Sequence, residues 1–426
     1  MTILVFASSL LGAMALGMPI AFALIICGIA LMWRIDLFDS QIIAQNVING
    51  ADSFPLMAVP FFILAGEIMN KGGLARRIVD VALSFVGHLR GGLGYVAILA
   101  SCLLASLSGS AVADAAALAT LLVPMMVKAG HDKARSAGLV AAGGIIAPVI
   151  PPSIGFVIFG VAGGVSISKL FLAGIFPGLM LGAALAVAWW YTCRDEKVTP
   201  FARTGFAQRV KAIRDGFWAL MLPLIIIFGL RFGVFTPTEA AVVVAVYALI
   251  VSMFIYRELK LRDLPKLFVD AALTTAVVMF LVATALVASW LLTVAEITGQ
   301  IVDLVRPLME HKTLLMLAIM AIVVIVGTAL DMTPTILILT PVLMPIVKAA
   351  GIDPVYFGVL FIINNAIGLI TPPVGTVLNV VCGVSKISME DIIKGVWPFM
   401  LAQLAVLLLL ILFPSLVMVP ARWLYG

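Results

Sequence analysis

Two polar clusters interrupt the apolar runs of this 426-residue chain. The first is Ser106-Leu107-Ser108-Gly109-Ser110, followed by Asp114. The second is Gly327-Thr328-Ala329-Leu330-Asp331-Met332-Thr333-Pro334-Thr335. A diproline follows each one: Ile150-Pro151-Pro152-Ser153, and then Thr371-Pro372-Pro373-Val374, 221 positions later. Hydroxyls, carboxylates and carbonyls are the hard oxygen donors that small alkali cations take. Two adjacent prolines remove two backbone donors, so the carbonyls ahead of them cannot close helical bonds. The freed carbonyls lie near Ala147–Ile150 and near Gly368–Thr371, where Thr371 adds a hydroxyl. Each break facing its own polar cluster would make one cation site, two by symmetry. Half-helix N-termini opposite them would offer N–H groups to an anion's carboxylate. A lone proline is more simply a structural kink, but two duplicated breaks beside two duplicated hydroxyl clusters favour function.

Asp114 and Asp331 add carboxylates at membrane depth, where charge is costly and functional by default. They could be cation ligands, proton carriers or a protease dyad. A dyad must share one proton at close range, and the two are not equivalent under the repeat, since Ser110 faces Asp331 and Asp114 faces Thr335. Asn364, Asn365 and Asn379 are further polar candidates, for substrate contact or for bonds between helices. Glu67, Arg76, Arg77, Arg231 and Glu239 fall near expected helix ends, where snorkelling explains them. Trp189, Trp190, Tyr191 and Trp397 read as aromatic-belt anchors.

The elements that hold these residues must be membrane helices. Hydrophobic residues are 63% of the chain and charged residues 11%, and the mean hydropathy is +1.23, which excludes a water-soluble globule. Windows of about 20 apolar residues recur, the span a bilayer needs, and they lack the period-2 alternation of a barrel. Crossings are expected near 4–32, 53–70, 94–107, 136–163, 168–193, 217–233, 237–256, 266–293, 313–330, 355–385 and 396–419. Residues 4–32 read as one retained helix despite Gly17-Met18-Pro19. Stretches of about 108–127 and 328–349 read as re-entrant hairpins, and about 136–163 and 355–385 as broken helices. Amphipathic arms are expected at 74–90 and 296–310.

The halves, 1–193 and 217–426, read as a duplication. At the same 221-residue offset Pro124, Gly130, Asp132, Gly174 and Pro177 fall on Pro345, Gly351, Asp353, Gly395 and Pro398. Overall identity is thin; the prolines carry the signal. Between the halves, 194–216 is a linker bearing Arg194, Lys197, Arg203, Arg209, Lys211 and Arg214 against Asp195, Glu196 and Asp215. The positive-inside rule makes it cytoplasmic. Lys128, Lys133 and Arg135 follow the first hairpin while Lys348 alone follows the second, which favours opposite entry and hence inverted repeats. Loop charges of this kind account for the net charge of +5 without implying nucleic-acid binding.

Several chemistries are excluded or disfavoured. Cys27, Cys102, Cys193 and Cys382 show no CxxC spacing and read as small core residues. His88, His131 and His311 are isolated in sequence, and no metal role is assigned to them. No phosphate-binding GxxxxGK[ST] loop is present, so ATP hydrolysis by that machinery is excluded. The reading is of a transporter and not an enzyme, with no cofactor, driven by an ion gradient or a partner.

The runs Ser108-Gly109-Ser110-Ala111-Val112-Ala113-Asp114, Pro148-Val149-Ile150-Pro151-Pro152-Ser153 and Gly368-Leu369-Ile370-Thr371-Pro372-Pro373-Val374-Gly375, together with Asn49–Phe62, resemble the large membrane subunit of tripartite ATP-independent periplasmic (TRAP) transporters. The resemblance covers essentially the whole chain. It implies an all-α, elevator-type ion-transporter fold of inverted repeats in the bacterial inner membrane. It also implies Na⁺ as coupling ion, an organic or sugar acid as cargo, a periplasmic binding protein that delivers it, and a separate four-helix membrane subunit. The first Na⁺ site would use Ser110, Asp114 and backbone oxygens at Ala147, Ile150 and Pro152. The second would use Thr328 or Asp331 with Gly368, Thr371 and Val374. Ser108, Gly109, Ser153, Thr333, Asn364, Asn365 and Gly375 would face the cargo. Within the family the likeness is greatest to large subunits serving 2,3-diketogulonate, a keto sugar acid.

Overall fold

The computed structural model describes residues 2–194, 196, 198 and 202–425. Of the charges expected in the linker, Asp195 and Lys197 lie outside the described residues. Those residues form twenty α-helices and no β-strand. In the first half these are α1 (Thr2–Ala15), α2 (Ile20–Arg34), α3 (Ser40–Ala51), α4 (Ala58–Lys71), α5 (Leu74–Val86), α6 (Gly92–Ser108), α7 (Ala111–Lys128), α8 (Lys133–Gly144), α9 (Ile154–Gly163) and α10 (Ile167–Cys193). In the second they are α11 (Phe206–Arg231), α12 (Pro237–Ile250), α13 (Leu264–Val294), α14 (Ile297–Met309), α15 (Lys312–Gly327), α16 (Met332–Ala349), α17 (Pro354–Gly368), α18 (Thr376–Ser385), α19 (Met389–Leu412) and α20 (Ser415–Tyr425). Among the described residues, eight stretches are long and apolar enough to cross a membrane.

The repeat is visible in the order of elements. Arms α5 and α14, hairpins α6–α7 and α15–α16, interrupted helices α8–α9 and α17–α18, and the long α10 and α19 correspond pairwise. Their polarity is opposite. Lys133, at the start of α8, donates through Nζ to the Lys386 carbonyl between α18 and α19 at 2.8 Å. At the other end, Tyr356 near the start of α17 donates to the Leu410 carbonyl near the end of α19 at 2.9 Å. The start of one interrupted helix therefore lies beside the end of the other, which is the signature of an inverted repeat.

Several sequence boundaries need correction. Residues 4–32 are two helices, not one. Gly17 adopts a positive φ of 78°, and Met18 and Gly17 donate back to Ala13 and Met14, a left-handed stop that lets α1 fold onto α2. Residues 108–127 and 328–349 are not hairpins in themselves: α7 and α16 are single helices, and the other leg of each hairpin is the helix before it. The linker is shorter than 194–216, because α11 starts at Phe206. Pro414 ends α19 and divides 396–419. The aromatic cluster splits as well. Trp190 and Tyr191 face outward, whereas Trp189 is fully buried and donates through Nε1 to the Gly91 carbonyl at 2.8 Å.

Packing separates two groups of helices. In one, α13 packs on α2, α3 and α4, and α12 packs on α4. The other is interlocked crosswise: α8 packs on α7 while its continuation α9 packs on α16, and α17 packs on α15 while α18 packs on α7. Within it α8 and α19 cross at bare backbone. A Cβ on Gly395 would fall 2.1 Å from the Ala134 carbonyl oxygen, and one on Gly138 would fall 2.5 Å from the Gly395 carbonyl carbon. Gln403, fully buried, ties the pair by donating to the Ala142 carbonyl at 2.8 Å.

Gly395→Ala should therefore lower the thermal unfolding midpoint of the purified protein, an overpacking cost of about 1–3 kcal/mol. Gly383→Ala, where nothing lies within 4 Å of the added carbon, should leave it unchanged or raised, because alanine is the better helix former. Equal midpoints for the two variants would rule out the close crossing.

Candidate functional site

Each hairpin tip meets a diproline break, and backbone economy explains how. Pro151 and Pro152 cannot donate to the carbonyls of Ala147 and Pro148, the acceptors a continuous helix would use. The first break repairs itself with one side chain. Ser153, fully buried, donates through its hydroxyl to the Pro148 carbonyl and accepts from the Phe156 amide at 3.1 Å, which caps α9. The second break carries Val374 at the matching place and is closed by backbone instead: Val377 donates to the Leu369 carbonyl at 3.1 Å and Thr371 to Gly368 at 3.0 Å. Both diproline bonds are cis. Ala147, Ile150 and Pro152 are buried, whereas Thr371 and Pro372 are half-buried and Pro373 and Val374 are exposed.

At the first tip Gly109 turns the chain with a φ of 61°. It sits so close to the break that a Cβ there would fall 2.4 Å from the Pro152 carbonyl oxygen. Ser110 caps α7, its hydroxyl accepting from the Ala113 amide at 3.4 Å. Ser108 accepts from the Ser110 amide at 3.1 Å and donates its proton to Asp114 Oδ1. Asp114 is buried, and its second oxygen, Oδ2, has no partner. A buried carboxylate oxygen without a donor is an acceptor waiting for a cation or a proton.

At the second tip the contact is glycine on glycine. A Cβ on Gly368 would fall 2.9 Å from the Gly327 carbonyl. Asn365 clamps the tip, donating to the Met332 carbonyl at 3.1 Å and leaving Oδ1 buried without a partner. Thr328 donates to the Ile325 carbonyl at 2.8 Å and Thr371 to the Ile367 carbonyl at 2.7 Å. Each hydroxyl thus keeps lone pairs for a further ligand. Asp331 is exposed, and its Oδ1 accepts from Thr376 at 3.4 Å. The two aspartates have separate hydroxyl partners and no common proton, contrary to a dyad. Val374 offers a carbonyl that already accepts from Asn379 at 2.9 Å.

Between the tips lies a cavity of about 380 Å³. Ser108, Gly109 and Ser110 line it from one side, and Asp331 and Thr333 from the other. Ser153 and Asn364 do not reach it. Asn364 is fully buried and donates to the Met320 carbonyl at 2.6 Å, and Gly375 serves a turn at a φ of 52°. Three helix starts open on the cavity: α7 at Ala111–Ala113, α9 at Ile154 and Gly155, and α16 at Met332 and Thr333. The N–H groups of a helix's first turn have no intrahelical acceptor, so each start carries partial positive charge. No Lys, Arg or His is among the lining residues. Sequence reasoning missed the opposite wall, formed by Glu67 and Asn70 on α4 and Thr274 on α13. Glu67 read as a snorkelling end; its place one turn before Asn70 on one face was the available signal.

Known proteins resemble this chain over nearly its whole length. The family model described as the DctM component of tripartite ATP-independent periplasmic transporters matches residues 7–416. A Haemophilus influenzae protein described as a TRAP transporter large permease is 57% identical over 99% of this chain and 100% of its own length. The 2,3-diketo-L-gulonate TRAP transporter large permease protein YiaN of Escherichia coli is 55% identical over the same shares. The crystal structure of the Alcanivorax borkumensis YdaH transporter superposes with a TM-score of 0.63 at 15% identity, covering 92% of this chain and 91% of that one; that likeness concerns the fold.

Labelling of single cysteines, with the four native ones replaced, should reproduce the lining. Asn70→Cys and Thr333→Cys should react readily with a charged maleimide in membranes, and Ser153→Cys and Asn364→Cys should resist it. Reaction of Ser153→Cys as fast as Thr333→Cys would refute the assignment.

Proposed function

The chain belongs to the DctM component family of tripartite ATP-independent periplasmic transporters, and from that membership we propose that it carries an organic or sugar acid across the bacterial inner membrane together with Na⁺. It is a multi-pass large permease. The carrying observation is the convergence of three helix starts on a cavity without basic side chains. An anion held there meets N–H dipoles first. The remaining counter-charge comes from cations bound beside it, which couples cargo to ion by simple electrostatics.

Na⁺ enters as a co-transported substrate. The first ion would take the Ser110 hydroxyl, the unpartnered Oδ2 of Asp114 and the carbonyls of Ala147, Ile150 and Pro152. The second would take Thr328 or Asp331 with oxygens of Gly368, Thr371 and Val374, and the orphaned Oδ1 of Asn365 is an added candidate. The helix packing supports an elevator, in which the crosswise block of α6–α10 and α15–α19 moves against the α1–α4 and α11–α13 scaffold. Glu67, Asn70 and Thr274 would then be scaffold contacts of the cargo. The cavity lies near the end of α4, just ahead of Lys71, Arg76 and Arg77, so it opens toward the cytoplasm by the positive-inside rule.

The likeness to the diketogulonate permease supports a keto sugar acid as first cargo to assay. Delivery would fall to a periplasmic binding protein, and a small four-helix membrane subunit would complete the assembly. Reconstituted with both partners, the chain should take up 2,3-diketogulonate only down a Na⁺ gradient. Uptake by the chain alone would mark a stand-alone transporter instead. Ser110→Ala and Thr371→Ala should each raise the Na⁺ concentration for half-maximal uptake by roughly tenfold, the equivalent of about 1.4 kcal/mol of lost ion binding. An unaltered Na⁺ dependence in both would remove the site assignment.

A further inference from the structure

Away from the cavity, where the α7–α8 loop meets the end of α10, three metal-ligand side chains converge that are far apart in sequence. His131 Nδ1 lies 2.6 Å from Glu196 Oε2. Cys193 Sγ lies 3.7 Å from that oxygen and 4.0 Å from the imidazole nitrogen. Among the described residues this is the one group of three such side chains whose ligand atoms all lie within 4.8 Å of one another. His131 and Cys193 are buried, and the Glu196 side chain is 13% exposed. Isolation in sequence had hidden this: the histidine and the cysteine stand 62 positions apart.

We propose that His131, Cys193 and Glu196 form a binding site for a borderline-soft divalent transition-metal ion, with zinc the best match. One imidazole nitrogen, one sulfur and one carboxylate oxygen are a donor set that zinc takes and that Na⁺, Mg²⁺ and Ca²⁺ do not. In a tetrahedral zinc site, bonds of about 2.0–2.3 Å put neighbouring ligand atoms roughly 3.3–3.7 Å apart. The two sulfur distances are already close to that range. Only the nitrogen–oxygen pair must open, as the ion replaces the proton they share, and a water would take the fourth position.

The supporting contacts are those of a prepared site. Glu196 Oε1 is held by Arg135 at 2.5 Å, which aims the other oxygen at the histidine. The His131 ring lies 5.1 Å from the Trp189 ring, itself fixed by its bond to Gly91. Gly91 leaves room for the thiol, since a Cβ there would fall 2.5 Å from Cys193 Sγ. A bound ion would fasten the first residues of the inter-half linker to the hairpin that carries Asp114. It would act as a structural clasp.

The test is cobalt substitution on the purified full-length protein. One Co²⁺ per chain should bind with visible ligand-field bands and a near-ultraviolet thiolate-to-metal charge-transfer band, and Zn²⁺ should displace it. Cys193→Ser should abolish the charge-transfer band, and His131→Gln should weaken cobalt binding at least tenfold. On the unmutated protein, Zn²⁺ should slow alkylation of Cys193, read by peptide mass spectrometry, and leave Cys102 and Cys382 unaffected. Absence of the charge-transfer band in the unmutated protein, its persistence in Cys193→Ser, or equal protection of all three cysteines would each overturn the proposal.

Discussion

Hydrocarbon supplies no hydrogen bonds, so every backbone N–H and C=O at that depth must find its partner within the protein, at a cost of several kcal/mol for each that fails. Two diprolines strike out four amide donors at the middle of two membrane helices. The surrounding structure can be understood as the response. One break is closed by a serine hydroxyl that both donates and accepts, the other by an amide reaching back across the turn. Each break is met by a hairpin tip that approaches closely enough to require bare backbone, at Gly109 for the first and at Gly368 for the second. The cavity between the tips is what this arrangement encloses.

Much of it was legible in the sequence, because the decisive residues act locally. Proline removes a donor wherever it stands, and Ser-Gly-Ser or Gly-Thr clusters inside apolar runs advertise a turn that water or ions must satisfy. The repeat followed from the spacing of those prolines, and opposite polarity from a handful of lysines and arginines. Features depending on which helix packs on which were not legible. Ser153 carries the right chemistry for cargo but spends it on Pro148 and Phe156. Asn364 spends its amide on Met320, and Trp189 is buried against Gly91. Glu67 reads as an ordinary helix-end charge until α4 is seen to form a cavity wall. The joining of His131 to Cys193 and Glu196 needs the return of α10 beside the α7–α8 loop, which no local pattern encodes.

The halves share a plan and differ in burial. The first break is enclosed on every side, while Pro373 and Val374 of the second are exposed. Asp114 is sequestered and Asp331 is open. The pseudo-symmetry thus holds for the backbone and fails for solvent access, so the two proposed ion sites would differ in how readily an ion reaches them.

The glycine contacts carry one more implication, for ancestry. Gly109 of the first tip corresponds to Leu330 in the second, and the touching pair Gly327 and Gly368 corresponds to Ser106 and Ala147 in the first. Each close approach lies within one half: Gly109 meets Pro152 in the first, and Gly368 meets Gly327 in the second. A Cβ is excluded at Gly109 in one half and at Gly368 in the other, although neither position is a glycine in its counterpart. Drift since the duplication has kept the meeting of tip and break in both halves while shifting the glycine that permits it, to the tip in one half and to the broken helix in the other.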